Sequence, residues 1–136
     1  MKNIQQFFIP FHLADPAGVV FFGHVFTLAH QVFEQFVIEQ LKCQWVDWFQ
    51  HPDWVIPIKK TEAEFHLPLK AGQICELQCS ISAMTTSSFV FVTHFFQPHL
   101  CCTVQSVHVF CQQEPKQKMA IPSHLRTTLE RYLVDH

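Results

Sequence analysis

The segment between Gly23 and Lys42 shows the clearest pattern in the chain, because its apolar residues recur at helical spacing and neither Gly nor Pro interrupts them. Its polar positions form only a narrow stripe, so most of the circumference of this helix should contact protein. A helix of this kind needs a sheet wrapped around it. The recurring apolar residues are Val25, Leu28, Ala29, Val32, Phe33, Phe36, Val37 and Leu41.

Strands are predicted on both sides of this helix. A first strand at residues 4–12 is rich in Phe and Ile and stops at the turn sequence Asp15-Pro16-Ala17-Gly18. In the second half of the chain, apolar stretches alternate with short breaks that contain Pro, Gly, Ser or Thr, which predicts an antiparallel meander. The predicted strands cover 55–67, 74–84, 88–97 and 101–112, and a last helix covers 123–134.

These elements together predict an α+β fold, in which an antiparallel five-stranded sheet is wrapped around one long central helix and a short C-terminal helix follows. An aromatic segment from Trp45 to Phe49 interrupts the order. The sequence His51-Pro52-Asp53 after it is a break signal, and we expect a mobile flap there.

The composition fits one domain covering residues 1–136, with 49% hydrophobic residues to build its core. Fifteen Phe against one Tyr, with only 15% charged residues, indicate apolar surface that packs against another subunit. The net charge of -2 and the absence of a Lys or Arg run argue against nucleic-acid or anionic-membrane partners. No signal peptide or membrane span is evident, so we expect a cytoplasmic protein.

Cysteine and histidine usage argues against a metal site. The six cysteines form no C-x-x-C pair, and without a secretion signal they are expected to be buried, reduced thiols. Cys75 and Cys79 should point to the same side of one strand. None of the ten histidines has the H-x-x-x-H spacing that puts two ligands on one helical face. We therefore expect neither a metal nor another cofactor.

The segment from Asp15 to Val25, Asp-Pro-Ala-Gly-Val-Val-Phe-Phe-Gly-His-Val, resembles the signature of the 4-hydroxybenzoyl-CoA thioesterase family. Its continuation from Ala29 to Glu34 is similar to the helix of the 1,4-dihydroxy-2-naphthoyl-CoA hydrolases. The resemblance implies a hotdog fold and a homodimer, commonly paired again into a homotetramer, with active sites at the dimer interface. It also implies that Asp15 is catalytic and that the backbone N–H of Phe22 binds the oxyanion.

Elementary chemistry supports the same role for Asp15. A carboxylate near a helix start can attack a thioester carbon or deprotonate a water that does so. Helix-start N–H groups lack intrahelical partners and suit the developing oxyanion. Gly18 would let the backbone pass close to the acyl group. The alternative is that Asp15-Pro16 only opens a turn and caps the helix.

Further substrate-binding candidates lie on the long helix. Phe21, Phe22 and Phe26, with the aromatic residues of the Trp45–Trp54 segment, would line an apolar acyl pocket. His30 and Glu34 lie four residues apart on one face and would position Asp15 or polar substrate groups, or form only a structural pair. His24 stands where much of the resembled family has Asn, and it would contact the substrate or the Asp15 loop, or be structural.

The sequence gives weaker evidence for residues that would bind coenzyme A, the part of the substrate that carries the thiol. Thr85-Thr86-Ser87 occupies a turn where the resembled 4-hydroxybenzoyl enzyme has basic residues that hold the phosphates of coenzyme A. Lys59, Lys60 and Lys70 could replace that charge, or serve only solubility. Ser87 and Ser88 are included as binding candidates because Ser87-Ser88-Phe89 extends the resemblance.

Three functions therefore remain open at the level of sequence. The leading one is an acyl-CoA thioesterase for an aromatic or apolar acyl group. An acyl-ACP thioesterase would use the same site with a basic docking surface in place of a nucleotide grip. A non-catalytic hotdog module that binds acyl groups is the third, and it would have no need of a carboxylate at the thioester carbon.

Overall fold

The computed structural model describes residues 1–134. Positions 135 and 136 of the predicted domain lie outside the described residues. The two predicted helices are shorter than expected at their C-terminal ends, and the structure has three additional two-residue strands, a short helix and a 3-10 turn. The strands are β1 (Asn3–Phe8), β2 (Trp54–Val55), β3 (Ile58–Phe65), β4 (Ile74–Met84), β5 (Ser88–Phe96), β6 (Leu100–Val109), β7 (Cys111–Gln112) and β8 (Gln117–Lys118). The helices are α1 (His24–Glu39), α2 (Trp45–Phe49) and α3 (Ser123–Glu130), and the 3-10 turn is Phe11–Leu13.

The main sheet is five-stranded and antiparallel, with the strand order β1-β4-β5-β6-β3. The predicted four-strand meander is wrong in one respect, because only β4, β5 and β6 follow one another. β1 pairs with β4 from Asn3 opposite Cys79 to Phe8 opposite Ile74, so β4 has no edge left for β3. The 66–73 connection therefore crosses to the other side, and β3 pairs with β6 instead.

Helix α1 packs across one face of this sheet, which confirms the predicted α+β arrangement of a sheet around a long central helix. All eight apolar positions of the predicted helical pattern are buried, although the last of them, Leu41, follows the end of α1. The Phe33 ring shows how the layers meet, because its centroid lies 4.9 Å from that of Phe91 on β5 and 4.3 Å from that of His108 on β6. Burial of this aromatic layer contributes to the hydrophobic stabilisation of the core.

A small second sheet, β2-β7-β8, anchors the segment that was predicted to be a mobile flap. The Gln113 side chain donates to the backbone carbonyls of His51, Pro52 and Trp54 at 2.8, 3.2 and 3.3 Å. The His51 ring also stacks on Trp54 at 3.6 Å between centroids. These contacts hold the break sequence in place, so the flap prediction is wrong.

The prediction of buried cysteines holds for four of the six, while Cys43 and Cys111 are half-buried. All six are free thiols, and Cys75, Cys79, Cys101 and Cys102 are buried. Burial raises the pKa of Cys75, Cys79 and Cys102 to about 12. Among residues 1–134, no helix is both long and apolar enough to cross a membrane.

Candidate active site

The Asp15 loop is a tight reversal that connects the 3-10 turn to the start of α1. Ala14 and Val20 form an antiparallel bridge across it. Within the bridge, the Asp15 N–H donates to the Val19 carbonyl at 2.8 Å and the Gly18 N–H donates to the Asp15 carbonyl at 3.0 Å. The loop is held from outside by the 66–73 connection, since Val20 donates to the Leu69 carbonyl at 2.7 Å. The 66–73 connection, which leads from β3 at one edge of the sheet to β4, thus supports this loop.

The Asp15 carboxylate takes part in this turn through one of its two oxygens. Oδ1 accepts hydrogen bonds from the backbone N–H groups of Ala17 at 2.9 Å and Val19 at 3.3 Å. Within the described residues, no hydrogen bond is recorded for Oδ2. The turn-opening role is therefore real, and it leaves one oxygen for chemistry. The capping role is wrong, because α1 begins at His24 and has Gly23 at its N-cap.

Gly18 is required by the backbone of this loop. Its φ of +78° lies in the left-handed region, which side chains other than glycine rarely adopt. A Cβ at this position would meet no atom within 4 Å in the chain. Backbone conformation alone accounts for the glycine, and the suggested approach to an acyl group stays a prediction.

The start of α1 presents backbone donors beside the Asp15 loop. The N–H groups of His24 and Val25 bond to the Phe21 and Phe22 carbonyls at 2.9 and 3.3 Å. Over the 134 described residues, no acceptor is recorded for the N–H groups of Phe22 and Gly23. Such unpaired donors at a helix start are suited to an oxyanion.

Asp15 and Phe22 line one cavity of about 610 Å³, which we call the Asp15 cavity. Phe21 also lines it, and its ring stacks on that of Phe22 at 4.7 Å between centroids. Both rings are largely open to solvent, with 45% and 63% of their surfaces exposed. The other lining residues are Val19, Val20, Val25, Phe65, His66, Leu67, Pro68 and Leu69.

Three other predicted site residues, Phe26, His30 and Glu34, line a separate cavity of about 640 Å³, the His30 cavity. The His30 Nδ1 lies 3.9 Å from Glu34 Oε2, and both side chains are partly exposed. Trp45 Nε1 donates to Glu34 Oε1 at 3.2 Å. The remaining lining residues are Thr27, Ala29, Gln31, Phe33, Ile58, Thr61, Val104 and Ser106.

The predicted residues are therefore divided between two cavities that share the same walls. Helix α1 contributes Val25 to the Asp15 cavity and Phe26 to the His30 cavity, and strand β3 contributes Phe65 to the first and Thr61 to the second. His24 lines neither, and its ring meets the edge of Phe21 at 5.8 Å between centroids. Within one chain, His30 and Glu34 are thus not neighbours of Asp15.

The residues predicted to bind the coenzyme A part of the substrate, Lys59, Lys60, Ser87 and Ser88, line neither cavity. Lys59 and Lys60 are exposed on the edge strand β3, and Lys60 Nζ is 3.8 Å from Glu62 Oε2. Ser87 and Ser88 belong to the β4–β5 turn, where the Ser88 and Thr85 hydroxyls are 2.6 Å apart. This geometry gives the two serines a role in the turn, and their substrate contact stays a prediction.

Arg126 was not predicted as a site residue, but it brings a cation to that turn. Its Nη2 donates to the Thr85 carbonyl, and its Nη1 lies 3.3 Å from Glu130 Oε1 on the same helix. The turn sequence alone lacks a basic residue. The positive charge comes from α3, about 40 residues further along the chain, and no local pattern links the two.

The pair Ser106 and His108 was also missed. Ser106 Oγ lies 2.7 Å from His108 Nε2, and His108 is buried with 1% of its surface exposed. Burial, with a smaller contribution from the charge of His30, lowers the pKa of His108 to about 3. The two-residue spacing on β6 was the available signal, because it puts both side chains on the face that Val104 also occupies.

Comparison with known proteins agrees with this arrangement. A family model described as the thioesterase-like superfamily matches residues 9–129. A 1,4-dihydroxy-2-naphthoyl-CoA hydrolase from Synechococcus elongatus is 26% identical over 126 residues, which cover 90% of each chain. Among solved structures, a 1,4-dihydroxy-2-naphthoyl-CoA thioesterase from Synechocystis has a TM-score of 0.85 at 17% identity and covers 95% of this chain and 96% of its own. A gentisyl-coenzyme A thioesterase has a TM-score of 0.79 at 21% identity and covers 94% and 99%. These likenesses confirm the predicted hotdog fold.

Proposed function

The chain belongs to the thioesterase-like superfamily, and we propose that it hydrolyses the thioester of an acyl-coenzyme A whose acyl group is aromatic or apolar. The prediction of a thioester hydrolase is confirmed at the level of the family and by the names of its relatives. An aromatic acyl group is supported by the relatives named for naphthoyl-CoA and gentisyl-CoA. It is also supported by the Phe-rich walls of both cavities.

The observation that carries the proposal is that Asp15 and Phe22 line one cavity, and that the Phe22 N–H has no acceptor among the described residues. In the general-base route, Oδ2 takes a proton from water, and the oxygen of that water adds to the thioester carbon. The Phe22 N–H stabilises the resulting oxyanion, the carbon–sulfur bond breaks, and the thiolate of coenzyme A leaves and takes up the proton. No metal or redox cofactor enters this scheme, and coenzyme A is part of the substrate.

In the nucleophilic route, Oδ2 itself forms the bond to the thioester carbon. Loss of the thiolate then leaves an anhydride, which water hydrolyses to the free acid and the Asp15 carboxylate. The hydrogen bonds to Oδ1 fix the carboxylate in the same orientation for both routes. A burst of thiol release equal to the enzyme concentration would identify the covalent route.

The coenzyme A carrier is supported by Arg126. Its guanidinium at the β4–β5 turn supplies, from α3, the kind of charge that binds phosphate groups. This observation favours coenzyme A over acyl carrier protein, because a docked protein domain would need a broad basic surface. Lys59 and Lys60, exposed on β3, stay candidates for additional charge on the same phosphates.

A homodimer is proposed as the active form. The Asp15 cavity is bordered by the exposed apolar side chains of Phe21, Phe22, Phe65 and Leu67, and Ile58 is exposed beside the His30 cavity. β3 lies at the edge of the sheet with most of its residues exposed, so a second copy can pair there and cover this apolar surface. The Asp15 loop of one copy would then face the His30 cavity of the other. A dimer of dimers and a cytoplasmic location stay predictions.

The test is a thiol-release assay over aromatic and straight-chain acyl-CoAs, with matched acyl-ACP substrates. Asp15→Asn should lower kcat by about 10³-fold or more, since a positioned base or nucleophile contributes on that scale. Asn retains an oxygen that can accept the Ala17 and Val19 hydrogen bonds, so the loop should keep its shape.

Asp53→Asn is the matched control, because Asp53 also lies in a turn but lines neither cavity. It should retain wild-type kcat. Full activity of Asp15→Asn would contradict the mechanism, and an inert wild type across the whole panel would contradict the function. Faster turnover of acyl-ACP than of acyl-CoA would reverse the choice of carrier.

A further inference from the structure

Ser106 forms part of the floor of the His30 cavity, and the buried His108 lies behind it in the core. Ser106 lines the cavity beside Val104, and its Oγ is hydrogen-bonded to the buried Nε2 of His108. Burying an imidazole costs free energy unless its polar atoms find partners. The catalytic scheme above uses neither residue.

His108 is held as a rigid, neutral ring. Its centroid lies 4.3 Å from that of Phe33 and 4.8 Å from that of Phe89, in stacked arrangements on α1 and β5 respectively. A ring fixed in this way cannot turn away from Ser106. Because burial keeps it neutral, Nε2 either donates to or accepts from the serine hydroxyl, and it thereby sets the direction of that hydrogen bond.

Ser106 is a hydroxyl of the cavity floor that keeps hydrogen-bonding positions for a bound molecule. Thr61 lies directly opposite it on β3, but the Thr61 hydroxyl donates to the Gln105 carbonyl at 3.0 Å. The Ser106 hydroxyl has one donor and two acceptor positions, and the bond to His108 uses only one of these. His30 and Glu34, in contrast, are partly exposed to solvent on the helix side.

We propose that Ser106 is a specificity-determining residue that hydrogen-bonds a hydroxyl substituent on an aromatic acyl group, with His108 as the residue that positions it. This inference rests on the proposed function and deepens it, because it assigns the substituent to Ser106 of the His30 cavity. A polar group whose orientation is fixed by a buried partner favours ligands that match it, since a polar group left unmatched in a bound complex is costly.

The experiment measures equilibrium binding of phenacyl-coenzyme A, a ketone analogue that cannot be hydrolysed, and of its 2-, 3- and 4-hydroxy derivatives. For the wild type, at least one hydroxylated isomer should bind ten-fold or more tightly than the unsubstituted analogue. Ser106→Ala should remove most of this ratio, because the lost hydroxyl matters only to the hydroxylated ligands. Thiol release from the corresponding benzoyl-CoA esters is measured in parallel.

Thr103→Ala is the control, because Thr103 lies on β6 three residues before Ser106 and therefore on the opposite face. It should keep the wild-type ratio. Equal binding of all four analogues, no binding of any, or an unchanged ratio in Ser106→Ala would overturn the inference. If the ratio behaves as expected but no ester is hydrolysed, the proposed function fails while the ligand assignment stands.

The positioning role of His108 has its own readout. His108→Phe keeps an aromatic ring in the stack and removes the partner of Ser106, so the preferred hydroxylated analogue should lose more affinity than the unsubstituted one. His108→Gln can restore a hydrogen-bonding atom and should recover part of the ratio. If the ratio stays at the wild-type value in His108→Phe, His108 is only a core residue and the positioning role is wrong.

Discussion

Gly18 shows how a single dihedral angle shapes the candidate site. Its φ is +78°, and no atom stands within 4 Å of where a Cβ would be placed. Gly18→Ala should therefore lower the free energy of unfolding by about 1–2 kcal/mol, through backbone strain rather than a clash. Denaturant titration measures this change.

Gly23→Ala provides the comparison for Gly18. Gly23 has φ of -63° and ψ of -28°, which any residue adopts, and its added Cβ would touch only the exposed Phe21 ring at 3.4 Å. This variant should change the free energy of unfolding by less than about 0.5 kcal/mol. A loss at Gly23 as large as that at Gly18 would contradict the assignment of strain to the loop.

His108 should make the protein sensitive to acid. Its pKa is lowered to about 3 by burial, whereas an unfolded histidine titrates near pH 6.5. Stability is thus intact above about pH 6.5, and it falls as the pH drops towards 3, because only the unfolded chain binds the proton. Denaturant titrations from pH 7.5 to 4.5 give the free energy of unfolding at each pH. Its slope against pH should be smaller in His108→Phe than in the wild type, by up to about 1.4 kcal/mol per pH unit. Parallel curves for the two proteins would show that His108 is protonated in the folded state.

At the residue scale, the sequence predicted what depends on neighbouring positions. The turn at Asp15 could be predicted because its hydrogen bonds join only residues 15–19, which are neighbours in sequence. Ser106 and His108 could not, since their importance arises from Phe33, more than 70 positions earlier, and from a cavity that exists only after folding. The guanidinium of Arg126 beside Thr85 was missed for the same reason, because it comes from α3, about 40 residues further along the chain.

At the element scale, β4 and β6 enclose the buried thiols. The raised pKa values of Cys75, Cys79 and Cys102 leave almost no thiolate at pH 8, and the thiolate is the reactive form. Maleimide labelling followed by mass spectrometry should therefore modify the half-buried Cys111 first in the native protein. The three buried thiols should react only at a rate set by unfolding. Labelling of all these positions at one rate in native buffer would contradict the fold of the sheet.

Element types were easier to predict than element partners. The apolar period of α1 and the strand patterns of the second half depend on local sequence, and both were predicted correctly. β3 pairs with β6 because β1 occupies the edge of β4, so the partner of β3 depends on a segment that is distant in sequence. The 51–53 segment was misjudged for a related reason, since Gln113 holds it from 60 positions away.

At the scale of the whole molecule, the two cavities predict an oligomer. The exposed apolar residues around them and the open edge of β3 are surfaces that a second copy can cover. Light scattering after size exclusion should give twice or four times the chain mass of 15.9 kDa at micromolar concentration. A mass of one chain at all concentrations, combined with full activity, would show that one chain contains the complete site.

The unequal use of the two Asp15 oxygens has a consequence for how such proteins diverge. Oδ1 belongs to the architecture of the loop and Oδ2 is free for chemistry. Under the proposed mechanism, replacement by Asn would preserve the first contribution and remove the second, so a single codon change would turn a hydrolase into a folded acyl binder. Replacement by Ala or Leu would also remove the side-chain hydrogen bonds that hold the turn. The identity of this one residue therefore offers a criterion for separating active members of the superfamily from inactive descendants that still fold.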